Sequence, residues 1–283
     1  MGPGPGTLEN AQPDDQNVIS VVIPTTRPSV DDLIESLMWG SLVPDEIIVV
    51  SNEVRPHGAT LVGFDSSTQP YGSGDAGLRR NIGADVAGGD IILFQDDDQI
   101  APTDMVAMAV EIVERDGFCW GHHRYIDFEK YSIDDMLTMG PVVGRSRETE
   151  PNRWHGWQSS YAGNLTIRRD LFWEVGGFDL GYLGHHGSED QQFGRRLSGG
   201  RFQTYVHEPP FAWHPANDVF HSSPKTNIMG AHRMVRTAIN GMDFLACEEC
   251  PCRKPVDVDS LTMSERVIIP YSRSDFSITK ERL

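Results

Sequence analysis

Long hydrophobic runs are missing from this chain of 283 residues. No stretch approaches the roughly 20 apolar residues that a membrane-crossing helix needs, so no membrane span is expected. Basic residues are scarce: 24 Lys and Arg face 41 Asp and Glu, a formal net charge of −17. A surface of that sign repels phosphate backbones and argues against general nucleic-acid binding. A nucleotide is still acceptable where a cation and a local arginine offset the repulsion. The opening "MGPGPGTLENAQPDDQN" lacks the apolar core of a signal peptide. Its Gly, Pro and Asp content makes residues 1–16 read as a disordered leader, and the expectation is a soluble, cytoplasmic protein. Internal repeats and heptad arrays are absent as well.

Cysteine is sparse: Cys119 stands alone, and Cys247, Cys250 and Cys252 cluster in "CEECPC". A C-x-x-C pair is half of a usual zinc site, with His232 a candidate further ligand. A disulfide and free thiols are the competing readings, and free thiols are favoured.

What the chain does contain is an alternation of buried strands and amphipathic helices. "NVISVVIP" (17–24), "DEIIVVS" (45–51) and "DIILFQ" (90–95) are short, β-rich apolar runs of the kind buried on both faces. "TLVGFD" is a further short strand. "SVDDLIESLMWG" (29–40) has a serine cap, early acids and a terminal glycine, which predict a helix. Helices are also expected over 76–87 and 102–117. The β–α–β order implies a mostly parallel sheet flanked by helices, an α/β fold. From residue 118 the pattern is mixed. "FCWGHHRYIDF" reads as a strand, 129–160 as helix plus loop, and "YAGNLTIRRDLFWEVGGF" as strand, short helix and turn. "SEDQQFGRRLSGG" (188–200) predicts a helix capped by Ser188, "RFQTYVHEPP" a strand and 225–246 a C-terminal helix. In domain terms the leader is followed by an α/β unit at 17–215 with two halves, 17–100 and 101–215. A helical extension and tail at 216–283 complete the chain.

Open parallel sheets place ligands beyond the carboxyl ends of their strands. Three such ends are polar: Pro24-Thr25-Thr26-Arg27, Ser51-Asn52-Glu53 and Asp96-Asp97-Asp98. Three adjacent carboxylates repel one another, and a divalent cation is the usual offset. Oxygen donors suit Mg²⁺ or Mn²⁺, ions that also bind substrate phosphates. A calcium loop does not fit, because a register starting at Asp96 puts Ile100, Ala101 and Ala107 where such a loop wants an acid or amide, glycine and glutamate.

Five ordered segments, between about residues 18 and 215, resemble glycosyltransferase family 2. They are "VVIPTTRP", R-N-x-G at Arg80, Asn81 and Gly83, the D-x-D-like "DDD", "AGNLTIRRDLFWEVGGFD", and the E-D helix start of "GSEDQQFGRRL". The resemblance implies a GT-A fold, with 17–215 as the catalytic unit, 17–100 its nucleotide-binding half and 101–215 its acceptor half, and transfer of a sugar from a nucleotide-diphosphate donor, UDP-linked by preference, to an unidentified acceptor hydroxyl. It implies that Pro24, Thr25 and Arg27 line the base and ribose pocket. An acid after the second strand usually contacts the base; here Asn52 or Glu53 must serve. Arg80 is implied to offset phosphate charge. Asp98 is the first choice for a metal ligand, Asp96 faces the ribose or the metal, and Asp97 is the spacer beside the nucleotide. Asp190 is the implied general base of an inverting reaction, with Glu189 orienting the acceptor. His214 is the implied third metal ligand, ahead of His207 and His221. The loop at 181–187, Trp154 and Trp157 are candidates for the acceptor side. Processive synthases are disfavoured, since the Q-x-x-R-W segment is missing. A retaining transferase on the same fold and a non-catalytic nucleotide-sugar-binding protein are the alternatives; a nucleotidyltransferase is a weaker one.

Overall fold

Period-2 burial on both faces explains the centre of the molecule. In β1 (Ile19–Pro24) every residue is buried. Val21 and Ile23 point to one layer of helices and Val22 to the other. Such two-sided burial is why these strands read as continuous apolar runs rather than alternating ones. The computed structural model describes residues 17–52, 56–64, 75–139, 145–146, 154–155, 160–180, 189–197, 203–204, 210–215, 234–239, 242–247, 270–275 and 277–282.

The chain continues through α1 (Asp31–Met38), β2 (Glu46–Val50), β3 (Thr60–Phe64), α2 (Ala76–Val86), β4 (Ile91–Gln95) and α3 (Met105–Asp116). Next come β5 (Phe118–Trp120), β6 (His122–Ile126), α4 (Ile133–Thr138), β7 (Arg145–Ser146), β8 (Trp154–His155), β9 (Asn164–Arg168) and α5 (Arg169–Glu174). The remainder is α6 (Glu189–Leu197), β10 (Gln203–Thr204), β11 (Phe211–Pro215), β12 (Met234–Ile239), β13 (Met242–Cys247) and β14 (Ile278–Arg282).

Seven strands form the main sheet in the order β14-β3-β2-β1-β4-β9-β5. The four central strands, β3, β2, β1 and β4, are parallel, while β9, β5 and β14 join antiparallel. One core packs residues of α1 and α3, such as Leu33, Leu37, Val106 and Val113, on one face. The other face carries Leu78 and Ile82 of α2 with Phe172, Phe178 and Phe193. Fully burying one such side chain contributes roughly 1.5–3 kcal/mol before entropy is counted. A smaller three-stranded sheet has the order β11-β6-β7.

The expected α/β architecture is what the described residues show. The sheet reverses its strand order between β1 and β4, since β2 follows β1 on one side and β4 lies on the other. That reversal is the position at which open sheets leave a crevice.

Three expectations need correction. "FCWGHHRYIDF" is not one strand: Gly121 divides it, so that β5 joins the main sheet and β6 the small one. The amide side chain of Asn164 fills the place of a Gly121 side chain, where a Cβ would stand 2.3 Å from Nδ2. The Gly121 N–H still donates to the Asn164 carbonyl of β9 at 2.7 Å. The helix expected over 225–246, and with it the helical character of the extension, also differs. Within its described part, β12 and β13 pair antiparallel from Met234↔Cys247 to Ile239↔Met242. Val235, Thr237 and Ile239 are β-branched, and the intervening sequence is Asn-Gly, a strong hairpin signal. Lastly, the tail is part of the sheet: β14 pairs with β3 from Ile278↔Phe64 to Arg282↔Thr60.

Candidate active site

The three aspartates follow β4 at the reversal point, and each carboxylate has its own set of partners, Arg27 being shared by two of them. Thr25, just after β1, donates its hydroxyl to Asp97 at 2.6 Å. Arg27 donates Nε to Asp97 at 3.0 Å and Nη2 to Asp98 at 2.8 Å. Asp96 turns the other way, accepting from Arg80 Nη2 at 2.9 Å. Its carboxylate lies over Gly163, where a Cβ would come within 1.9 Å of Oδ2. The Asp96 N–H also donates to the Gly163 carbonyl at 3.0 Å. Only a glycine leaves room for Asp96 at that point, which accounts for the small residue before β9.

His214 reaches the same crevice from β11. Ile100, four residues after Asp96, exchanges both backbone bonds with Trp213 at 2.9 Å. The Trp213 indole N–H donates to the Met136 carbonyl at 2.7 Å, fixing a fully buried ring. The next residue therefore faces the acids, with His214 Nε2 3.2 Å from Asp98 Oδ1. His123 stacks on the His214 ring at 5.9 Å and Tyr125 tilts against it at 4.9 Å.

Helix α2 holds the site from below. Arg79 pairs with Asp75 at 2.8 Å and donates to the carbonyls of Thr25 and Val50, tying the ends of β1 and β2 together. Arg80 links Asp96 to Glu189 Oε1, the latter at 3.0 Å. Asn81 accepts from the Phe178 N–H and donates to the Phe178 carbonyl, both at 2.8 Å. It thereby clamps the turn in which Gly177 adopts φ +63°, a left-handed conformation suited to glycine. Gly83 lets the helix approach β1, since a Cβ would stand 2.2 Å from Val22 Cγ1.

The electrostatics follow from this layout. Burial opposes the charge of Asp96, but Arg80, with His123 and His214, holds its carboxyl below the usual range. Burial pushes Asp98 up, and neighbouring Asp96 adds to this against His214 and Arg27. Burial and adjacent Glu189 push Asp190 up to about 7. A carboxylate near 7 is a much better proton acceptor at neutral pH than an ordinary one.

The expected residues thus separate. Thr25, Arg27, Asp97, Asp98 and His214 form one bonded cluster, and Asp96, Arg80 and Glu189 a second, the two meeting through the aspartate turn. Pro24 is buried at the end of β1, and Asn52 is exposed beyond β2. Glu53, Ser188, His207, His221, His232, Trp157, Cys250, Cys252 and the loop at 181–187 lie outside the described residues, as does the 1–16 leader. Arg80 is buried and faces two acids of the protein, Asp96 and Glu189. Sequence reasoning missed Arg79, His123, Tyr125 and Gly163. The alternation of His123 and Tyr125 along one strand was the available signal for that pair.

For a divalent cation, Asp98 and His214 offer adjacent oxygen and nitrogen donors, while Asp96 is paired with Arg80. Among the described residues no three His, Cys, Asp or Glu gather as a metal cluster. One carboxylate with the rest from phosphate and water is a usual arrangement for Mg²⁺, so Asp98 fits, with the His214 nitrogen as a softer donor beside it. Cys119 is buried and its thiol is pushed up to about 12, which makes it inert.

Residues 68–176 match the family model described as "Glycosyl transferase family 2". No curated protein matches the chain. Among solved structures, Staphylococcus aureus TarS 1-349 in complex with UDP-GlcNAc is similar at 16% identity and TM-score 0.48, over 72% of this chain and 61% of that one. The mannosyltransferase PcManGT from Pyrobaculum calidifontis, in complex with GDP-Man and Mn²⁺, is similar at 15% identity and TM-score 0.48, over 76% and 61%. The chain spans about six tenths of the length of these two structures.

Proposed function

We propose that the chain is a glycosyl transferase of family 2, whose family model its residues 68–176 match, and that it transfers a sugar from a nucleotide-diphosphate donor to an acceptor hydroxyl, with inversion. The observation that carries this reading is the pair of long-range links that tie the aspartates after β4 to Glu189, through Arg80, and to His214. Glu189 and His214 both lie outside the family-matched stretch, yet they bond to Arg80 and Asp98 within it.

Thr25 and Arg27, at the end of β1, line the donor pocket together with Pro24 and Asn52. Asp98 and His214 would hold Mn²⁺ or Mg²⁺, whose charge offsets that of the diphosphate leaving group. Asp190 accepts the acceptor hydroxyl proton as the acceptor oxygen bonds to the anomeric carbon. The bond from that carbon to the diphosphate oxygen breaks, and its electron pair leaves with the nucleotide. Attack opposite the leaving group inverts the centre. A UDP-sugar is the donor to try first, because the family resemblance favours it.

The test is Asp190→Asn. The amide cannot take the proton, so donor turnover should fall by about 10²–10⁴, while nucleotide binding is retained. In the wild type, kcat/KM should rise with pH through about 7 as Asp190 ionises. Unchanged turnover in Asp190→Asn would remove the residue from the chemistry, whereas nucleotide binding without turnover in the wild type would favour a binding protein that does not catalyse transfer.

A further inference from the structure

Arg80 sits where three elements meet. It projects from α2, Nη1 reaches Glu189 at the start of α6 at 3.0 Å, and Nη2 reaches Asp96 after β4 at 2.9 Å. Its side chain is only 7% exposed, and that of Glu189 10%. The guanidinium carbon lies 5.6 Å from the centre of the Phe178 ring, the residue whose backbone Asn81 clamps from the next position of α2. One turn before Arg80, Gly77 packs so closely on Glu189 that a Cβ would stand 3.1 Å from its Cγ. A planar fork with each arm on a different carboxylate fixes direction as well as distance. This geometry does not suit a donor ligand, because the fork is enclosed and both arms are committed inside the protein.

We propose that Arg80 is a positioning residue for the transfer reaction: it locks the E-D start of α6 to the aspartate turn after β4, and it does not contact the donor diphosphate. The inference deepens the transferase reading and rests on it. Asp190 feels this arrangement directly. The groups acting on it are adjacent Glu189, which together with burial disfavours its charge, then Arg80, which favours it, the Gln191 N–H, which donates to it at 2.7 Å, and Asp96. Arg80 and Glu189 therefore act on the base in opposite senses.

The test uses two full-length variants, Arg80→Met and Glu189→Gln, with Arg80→Lys as the conservative control. Turnover, the pH dependence of kcat/KM and the affinities for UDP and UMP are compared. In Arg80→Met the rising limb of the pH profile should move to higher pH and kcat should fall about 10²-fold, as expected for misplaced reacting groups. The ratio of UDP to UMP affinity should stay within about twofold, well under the tenfold that 1.4 kcal/mol represents. In Glu189→Gln the limb should move to lower pH, and Arg80→Lys should recover part of kcat. Opposite movements of the limb are not produced by simple loss of stability. A selective loss of UDP over UMP binding in Arg80→Met would overturn the proposal and make Arg80 a phosphate ligand. Limbs that stay put in both Arg80→Met and Glu189→Gln would also overturn it and leave a plain structural brace. Should Arg80→Met not fold, the Glu189→Gln limb decides. A wild type without turnover, yet with an Asp190 carboxyl NMR titration that moves oppositely in the two variants, would keep the positioning and sink the transferase reading.

Discussion

Side chains on either side of one peptide bond do different work at the aspartate turn. Asp96 is drawn to Arg80 and Asp97 to Thr25 and Arg27, while Asp98 lies between Arg27 and His214. That a strand ending in three acids marks a site was readable, because like charges at a buried strand end require an offset. Which carboxylate faces which partner was not, since the turn after β4 sets it and the partners come from distant segments. Gly163 was equally silent, for a glycine does not announce what it makes room for. Gly163→Ala tests this: a Cβ 1.9 Å from Asp96 Oδ2 must displace the carboxylate from Arg80. Overpacking of this kind costs about 1–3 kcal/mol. Turnover should fall well beyond what a urea-midpoint shift of that size explains. An alanine variant with full turnover would show that the position of Asp96 is not critical.

At the scale of elements, α2 connects most of the site. Three successive residues, Arg79, Arg80 and Asn81, take on the ends of β1 and β2, the acids, and the Phe178 turn. The helix itself was legible from its composition, and so were β1, β2, β4 and α3. The R-N-x-G match pointed to this helix without saying what each residue holds. Asn81→Ala should leave the buried N–H and carbonyl of Phe178 without their partner, at about 1–3 kcal/mol. Thermal unfolding should show the drop, and an unchanged midpoint would contradict the clamp. The C-terminal segment was the least legible element. β12 has helix-compatible residues, and only the β-branched alternation and the Asn-Gly pair favoured a hairpin. β14 was invisible to local pattern, because "ITKER" becomes a strand through pairing with β3 across more than two hundred residues of sequence.

Over the whole molecule, the order β3-β2-β1-β4 brings the ends of β1 and β4 side by side, which puts Thr25 and Arg27 on the aspartate turn. The C-terminal segment closes the same body: β14 extends the sheet, Tyr271 donates to Asp85 of α2 at 3.3 Å, and Arg273 pairs with Asp85 at 3.2 Å. The alternation of strands and helices predicted this α/β body, whereas long-range joins such as Arg80–Glu189 and Asp98–His214 needed the folded chain. The central claim is a cation-assisted nucleotide-diphosphate site at the reversal of the sheet, built on Asp98. It is tested most directly by calorimetry and thermal unfolding with UDP, GDP, dTDP and CDP, each with and without Mn²⁺, on wild type and Asp98→Ala. The account predicts that one nucleotide binds in a Mn²⁺-dependent way, stabilising the wild type by about 2.7 kcal/mol at a hundredfold excess over Kd, and that Asp98→Ala loses this binding while staying folded. Binding by none of the four, or equal binding in folded Asp98→Ala, would contradict it.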